Sequence, residues 1–440
     1  MKLKPSSLIA LSFFIIILTG GILLSLPISS ANGTPTSFLD AYFTSNSATC
    51  VTGLVVLDTG VHFSLFGLIV IMLLMQLGGL GYMTFSAFAM LVLRKKMFVS
   101  ERIMAQEALN IYSAKEVTDI LKKIFAIVFT LESIGFLILF LRWLPEFGSG
   151  KAVLYAVFHT ISAFNNAGFA LPPNNANMMP FVTDIVINLT ITTLIIIGGI
   201  GFIVISDILK GRKLSLHSKL VITTTAILLA AGTLMILFLE YSNPKTLGPL
   251  SFGHKILASY FQSVTPRTAG FNTVDIGSMF APTLIITMFL MFIGASPGGT
   301  GGGIKTTTFA VLIGTIRATL MGLKDTVMFR RRVPHETVRR AFTITTLAVF
   351  VVVGAALLLE YFEKFTLMES AFEVFSAFGT VGLSMGITPK LSSIGKIIII
   401  VVMFIGRVGP LSLALSLLIQ QKRAEDRIPE RINIDRIGGK

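Results

Sequence analysis

Four short stretches of this 440-residue chain could do chemistry: Val51-Thr52-Gly53-Leu54, Asn166-Ala167-Gly168-Phe169, Thr268-Ala269-Gly270-Phe271 and Thr380-Val381-Gly382-Leu383. In each, an apolar segment too short to cross a membrane runs into small or β-branched residues that close on a glycine. Turning successive carbonyl oxygens toward one axis demands backbone angles that include positive φ, which glycine adopts without steric penalty. Carbonyls aimed in that way replace the water around a dehydrated cation. The predicted chemistry is therefore coordination of a cation by backbone oxygens of Val51, Thr52, Asn166, Ala167, Thr268, Ala269, Thr380 and Val381. The filter segments extend to Thr49 and Cys50 in the first loop, Asn165 in the second, Arg267 in the third and Gly379 in the fourth. A glycine after one apolar helix can equally be a plain C-cap, so the weight of the reading lies in its fourfold repetition.

A second constellation follows the third loop. Gly294-Ala295-Ser296-Pro297-Gly298-Gly299-Thr300-Gly301-Gly302-Gly303-Ile304-Lys305 interrupts an apolar run. Continuous helix from Met279 to Leu323 would cover 45 residues, about 67 Å against a hydrocarbon core of about 30 Å. Irregular backbone at membrane depth is tolerated only where it is buried in protein or lines a water-filled cavity. A loop over 294–308 is thus expected to act as a gate, with Gly294, Ser296, Gly298, Gly299, Gly301, Gly302 and Gly303 supplying backbone freedom. Lys305 and Arg407, cations inside apolar segments, are functional candidates by default and are expected to hold the loop across the conduction path. Arg267 has no basic counterpart in the other loops and is expected behind the filter, paired with Glu373 or Glu132. A helix-packing face of small residues accounts for Gly78-Gly79-Leu80-Gly81 and Gly198-Gly199-Ile200-Gly201.

The elements that position these loops repeat. Spans are expected at about 5–26, 62–93, 120–143, 181–209, 220–241, 279–323 (broken), 341–361 and 394–419, with half-spans at 37–53, 152–164 and 367–378 and another before Thr265. Aligned on the loop glycines, which lie 115, 102 and 112 residues apart, the units also superpose Phe43, Phe158, Tyr260 and Phe372 as apolar anchors of the half-helices. The fold class predicted is an all-α polytopic membrane protein, four span, re-entrant pore loop, span repeats around a pseudo-fourfold central pore. Its divisions are repeat 1 at 1–96, repeat 2 at 97–213, repeat 3 at 214–332 with the gating loop, repeat 4 at 333–421 and a cytoplasmic tail at 422–440. Each half-helix would point the negative end of its dipole at the pore, with Asp40 and Glu369 at the positive ends of two of them.

Composition agrees with a membrane protein: 53% hydrophobic, 13% charged residues and a mean hydropathy of +0.82. The net charge of +14 does not point to nucleic acid, because the basic residues sit in short blocks between apolar spans. Arg94-Lys95-Lys96, Lys210 to Lys213 and Arg330-Arg331-Arg332 place their loops, and both termini, on the cytoplasmic side of the cell membrane. Lys2, Lys4 and the small residues Ser29-Ser30-Ala31 imitate a cleaved signal peptide, but the run is long enough to span and serves as the first helix of the repeat. The single Cys50 excludes an intramolecular disulfide, and the scattered histidines offer no metal-ligand spacing.

Two enzyme motifs are formal only. Gly294-Ala295-Ser296-Pro297-Gly298 fits GxSxG, but a nucleophile elbow needs a strand, a helix and a later histidine, and only His335 follows. Gly299 to Thr306 nearly fits a phosphate-binding loop, yet Ile304 stands where its second glycine must be. The chain is read as no enzyme, with no covalent cofactor. Intramembrane hydrolysis is the alternative of another class, and a weakly selective potassium/sodium pathway the alternative within transport.

The loops, the glycine-rich segment in the third unit and Arg407 in the fourth together resemble the Trk/Ktr/HKT superfamily of potassium transporters, over essentially the whole chain. Length and span number are most similar to the membrane subunit of bacterial Ktr systems. The resemblance implies that Gly53, Gly168, Gly270 and Gly382 form a potassium selectivity filter and that 294–308 is an intramembrane gating loop. It also implies a homodimer with one pore per subunit, standing on a cytosolic RCK-type regulatory ring that binds nucleotide (ATP or ADP). Some sodium-carrying members have serine at the first-loop glycine, so Gly53 favours potassium.

Overall fold

A computed structural model describes residues 5–81, 117–209, 211 and 214–410. The basic runs at Arg94 and Lys422, the ends of the spans expected to reach 93 and 419, and Lys210, Arg212 and Lys213 lie outside the described residues. In chain order the helices of eight residues or more among those described are α1 (Pro5–Ser25), α2 (Phe38–Thr49), α3 (Leu65–Leu80), α4 (Val117–Phe164), α5 (Ile185–Ile200), α6 (Phe202–Leu209), α7 (Leu216–Glu240), α8 (Phe252–Val264), α9 (Ala281–Phe292), α10 (Thr306–Leu320), α11 (His335–Phe362), α12 (Leu367–Gly379) and α13 (Ser393–Val408). One antiparallel hairpin, β1 (Val327–Met328) with β2 (Arg331–Arg332), pairs Val327 with Arg332, a small departure from the all-α expectation.

The half-helices lie close to where the sequence puts them. Helix α4 runs past the expected end of its span, and Gly148, at φ 71° and ψ 169°, divides it from the half-helix that ends at Phe164. Sequence explains the caps: the Thr366 hydroxyl and the Glu369 carboxylate form a reciprocal capping box on α12. Asp40, in the first turn of α2, accepts a 2.5 Å bond from Lys396.

Among the described residues, Ile124–Phe164, Leu216–Glu240 and His335–Phe362 are long and apolar enough to cross a membrane, and α5 with α6 makes a fourth bent by 97°. The second helix of three units stops at a glycine in the left-handed region, Gly81 (φ 79°), Gly201 (φ 97°) and Gly409 (φ 92°). In the third unit α9 already ends at Phe292, and the chain enters the glycine-rich loop.

Burial is inverted relative to a water-soluble protein. Large apolar side chains such as Phe238 (82% exposed) and Phe350 (72%) face outward, while Ser47, Thr52, Asn166, Thr268 and Thr380 are wholly buried. Within units α1 packs on α2, α7 on α8, and α12 on α13; between units α3 meets α4, α5 meets α8, α9 meets α12, and α13 returns to α2. Phe43, Phe158 and Phe372 are fully buried anchors, as expected, whereas Tyr260 is partly exposed.

Candidate functional site

Each half-helix ends in a cap built by its own sequence. In three loops the cap is a Schellman motif: Thr52 N donates to Ser47 O, Ala167 N to Ser162 O and Val381 N to Ser376 O, all at 2.8 Å. The inner bonds are Val51 N to Ala48 O, Asn166 N to Ala163 O and Thr380 N to Ala377 O, each 3.1 Å. The left-handed residue of the cap is therefore Val51 (φ 50°), Asn166 (φ 58°) or Thr380 (φ 50°), not the recurring glycine two positions on. The third loop reaches the same conformation at Thr268 (φ 65°) by another route. Pro266 has no N–H to give, and Ala269 N instead donates to Thr265 O at 3.0 Å. β-Branched residues with positive φ are strained, by about 1–3 kcal/mol each, and such strain clusters at ligand clamps and active sites.

Hydroxyls then fix the glycines. Ser47 Oγ accepts from Gly53 N (3.1 Å) and Ser376 Oγ from Gly382 N (3.0 Å), while Ser162 Oγ donates to Phe169 O (2.8 Å) and Thr265 Oγ1 to Phe271 O (2.5 Å). The sequence carries this signal as a serine six residues before the glycine in three of the four loops. Our reading of the sequence did not single it out.

The four glycines close a cycle. A Cβ built on Gly53 would stand 2.6 Å from Ala167 O, on Gly168 2.8 Å from Ala269 O, on Gly270 2.3 Å from Val381 O, and on Gly382 2.2 Å from Thr52 O. All four have positive φ, 89°, 72°, 75° and 93° in order. The backbone oxygens of Val51, Thr52, Asn166, Ala167, Thr268, Ala269, Thr380 and Val381 accept no hydrogen bond among the described residues. Buried carbonyls are normally paired, so orphaned oxygens in one ring are what a bound cation would satisfy. Cys50, fully buried and unpaired by disulfide, stands behind the ring with Sγ 3.7 Å from Asn46 Oδ1.

The glycine-rich loop lies against the helix-facing side of this ring. Gly302 N donates to Thr380 Oγ1 (2.9 Å), Thr300 Oγ1 to Asn166 Oδ1 (3.0 Å), and a Cβ on Gly301 would meet Thr268 Oγ1 at 1.8 Å. Lys305 Nζ donates to Gly301 O at 2.7 Å. The Arg407 guanidinium donates to Thr300 O and to Gly78 O, so one side chain from the fourth unit ties the loop to the first. The loop is better held than its composition suggests. Ser296 N bonds Gly199 O (3.0 Å), Thr300 N bonds Gly198 O (3.1 Å), Gly303 N bonds Gly406 O (3.3 Å), and Ile293 and Ile304 form an isolated parallel bridge. Gly298 and Gly303 supply positive φ, 75° and 66°; a Cβ on Gly294 would meet Gly302 O at 2.1 Å and one on Gly299 would meet Gly199 O at 2.7 Å. Small residues that seemed a packing face do allow close approach, since a Cβ on Gly78 would meet Thr49 O at 2.0 Å and one on Gly198 would meet Phe164 O at 1.9 Å.

One expectation is corrected. Arg267 is buried behind the third loop but pairs with neither acid; its guanidinium meets Thr225 O at 3.5 Å. Both acids are already occupied. Glu373 accepts from Ser384 Oγ (2.7 Å) and Thr388 Oγ1, and Glu132 from Gln76 Nε2 (3.0 Å) and Asn165 Nδ2 (3.4 Å). Hydroxyls and amides satisfy a buried carboxyl more compactly than a long guanidinium, and no local pattern ranks them. Ser296 Oγ bonds Thr306 Oγ1 at 2.8 Å. In the hairpin region Arg332 and His335 share Asp325 (2.9 and 3.2 Å), and Arg340 pairs with Glu336 (2.9 Å).

Residues 6–426 match the family of cation transport proteins called TrkH. The chain is similar to the Ktr system potassium uptake protein B of Bacillus subtilis (strain 168), 47% identical over 94% of this chain and 93% of that protein. It is also similar to the protein of that name from Vibrio alginolyticus (44% identical, 92% of this chain and 90% of that one). A third relative is the potassium/sodium uptake protein NtpJ of Enterococcus hirae (41%, 96% of this chain and 95% of that one). Its fold is similar to the crystal structure of the potassium transporter TrkH from Vibrio parahaemolyticus, with a TM-score of 0.71 at 19% identity over 92% of this chain and 84% of that one.

Proposed function

Because the chain belongs to the TrkH family of cation transport proteins, we propose that it is the potassium-translocating membrane subunit of a Ktr-type uptake system. It is a multi-pass membrane protein. In this reading the four repeats surround one pseudo-fourfold pore, and the glycine cycle is its selectivity filter. Potassium is held by the carbonyls of Val51, Thr52, Asn166, Ala167, Thr268, Ala269, Thr380 and Val381. The observation that carries the reading is the closed cycle of glycines with its unpaired buried carbonyls. Such a ring suits a dehydrated monovalent cation, selected by the number and field strength of its carbonyl dipoles.

The loop at 294–308, tied by Lys305 and Arg407, obstructs the pathway below the filter and opens by rearrangement. Its regulator is a cytosolic RCK-type ring that binds ATP or ADP, docked on the basic cytoplasmic segments, and two copies of this chain form the membrane unit in the cell membrane with both termini cytoplasmic. A weakly selective potassium/sodium pathway is the second reading, favoured by the potassium/sodium activity in the name of the Enterococcus hirae relative. Tracer flux in liposomes reconstituted with purified protein separates the two. Potassium uptake that exceeds sodium uptake by at least tenfold, and loses that preference in Gly53→Ser and Gly270→Ser, supports the first. A ratio near one in the unmodified protein supports the second.

A further inference from the structure

The outer face of the ring is not fourfold. A cavity of about 260 Å³ opens above it, lined by Gly53, Gly168 and Gly382 but not by Gly270; Asn175 and Asn177 stand in its wall instead. Asn177 Nδ2 donates to Gly270 O at 3.2 Å, and Asn177 Oδ1 accepts from Asn272 N at 3.3 Å. The carboxamide is thus fixed at both ends, and Met178 N adds a bond to Asn272 O at 3.0 Å. The strap that carries it crosses from the second unit to the first, where Asn175 N bonds Asp58 Oδ2 at 3.1 Å. Asn174, Asn175 and Asn177 all have positive φ, 62°, 52° and 49°, a conformation asparagine tolerates better than other side-chain-bearing residues. The carbonyls of Gly53, Gly168 and Gly382 accept no hydrogen bond among the described residues.

We propose that Asn177 is a specificity-determining positioning residue: it ties down the Gly270 carbonyl, so that the outermost cation site has three full-strength ring carbonyls and one weakened ligand. The Gly270 oxygen keeps a second lone pair, but an amide N–H beside it draws on the same oxygen and sets partial positive charge near any cation there. A cation at this level retains part of its water and binds from outside less tightly than a complete ring would allow. Because affinity and discrimination follow the number and field strength of the carbonyls, Asn177 sets both at the external face. This rests on the filter reading above.

The test is uptake into liposomes holding purified protein, with external potassium varied and sodium as competitor. Asn177→Gly keeps the backbone conformation available and removes the carboxamide. The half-saturating external potassium concentration should fall about three- to tenfold, the worth of one neutral hydrogen bond, and the potassium-to-sodium ratio should change. Asn177→Asp keeps size and backbone preference, loses the donor and adds a carboxylate that attracts a cation at the mouth, so half-saturation should fall at least as far as in Asn177→Gly. Asn174→Gly, on the same strap but outside the cavity wall, should leave both values unchanged. If Asn177→Gly lowers only thermal stability or maximal flux while half-saturation and ion ratio hold, the strap merely packs and the proposal is overturned. Gly382→Ser run in parallel separates the two failures. A shifted ratio there with none in the Asn177 variants sinks this proposal alone, whereas no shift in either sinks the filter reading as well.

Discussion

The carbonyl oxygen of Thr52 lies 2.2 Å from where a Cβ on Gly382 would stand. The fourth loop thereby meets the first, and no side chain can be added at that seam without moving the backbone that presents the oxygens. Close approach and positive φ (93° at Gly382) act together. A serine there meets strain of about 1–3 kcal/mol before any clash is counted. Gly382→Ser and Gly270→Ser should each reduce potassium-over-sodium selectivity about ten- to a hundredfold, and Gly168→Ser, with 2.8 Å of space, should do less. Competitive tracer uptake at matched protein levels checks the order. Equal ratios in all three well-folded variants would contradict it.

Arg407 bridges Thr300 O in the loop and Gly78 O in the first unit. Hydrogen bonds from a charged donor are worth about 1.5–3 kcal/mol, so Arg407→Ala should raise potassium flux about tenfold or more and lessen dependence on a cytosolic partner. Deleting residues 295–305 should act in the same direction. The backbone bonds from the loop to Gly198, Gly199 and Gly406 mean that this deletion also lowers the melting temperature. Reduced flux from folded Arg407→Ala protein would show that the loop supports the pathway instead of closing it.

Glu373 is wholly buried and accepts from two hydroxyls that belong to the segment after the fourth loop. Glu373→Ala leaves Ser384 Oγ without its acceptor and Thr388 Oγ1 with only Ser384 Oγ (3.0 Å), and should destabilise the protein by about 1–3 kcal/mol. Glu373→Gln keeps one acceptor oxygen and should cost less. Thermal unfolding in detergent, read beside the ion ratio, distinguishes a support for the loop from a cation ligand: the ratio should move little in Glu373→Gln.

Ser296→Ala should leave potassium flux within about twofold while losing about 1 kcal/mol of stability with its bond to Thr306. A hydrolase that used this serine would be silenced by the same change, so an esterase assay on the unmodified protein that gives a rate removed by Ser296→Ala would contradict the transport reading.

Much of this was legible before the structure. Aligning the chain on Gly53, Gly168, Gly270 and Gly382 located the ring, because apolar half-segments ending in glycine carry a strong local signal. The broken run at 294–305 was legible because its length exceeds any bilayer and its side chains are small. What escaped was long-range pairing. Nothing local to Arg267 says that Glu132 and Glu373 are already satisfied by Gln76, Asn165, Ser384 and Thr388. The positive φ at Val51 and Thr380 ran against their β-branched type, and only the surrounding caps impose it. The glycine breaks at Gly81, Gly201 and Gly409 also go unseen by hydropathy, which reads each run as one continuous span. The bond from Asn177 to Gly270 crosses 93 residues and two units, beyond any pattern in one sequence.

The central claim is that the unpaired carbonyls of the ring hold a dehydrated potassium ion. Crystals of the protein soaked in a thallium salt, a heavy potassium mimic, test it directly through anomalous scattering. The account predicts peaks on the axis of the ring, at coordination distance from the oxygens of Thr52, Ala167, Ala269 and Val381, and their loss in Gly382→Ser. A ring in the conformation described, free of thallium density while the same preparation carries potassium flux, would contradict it.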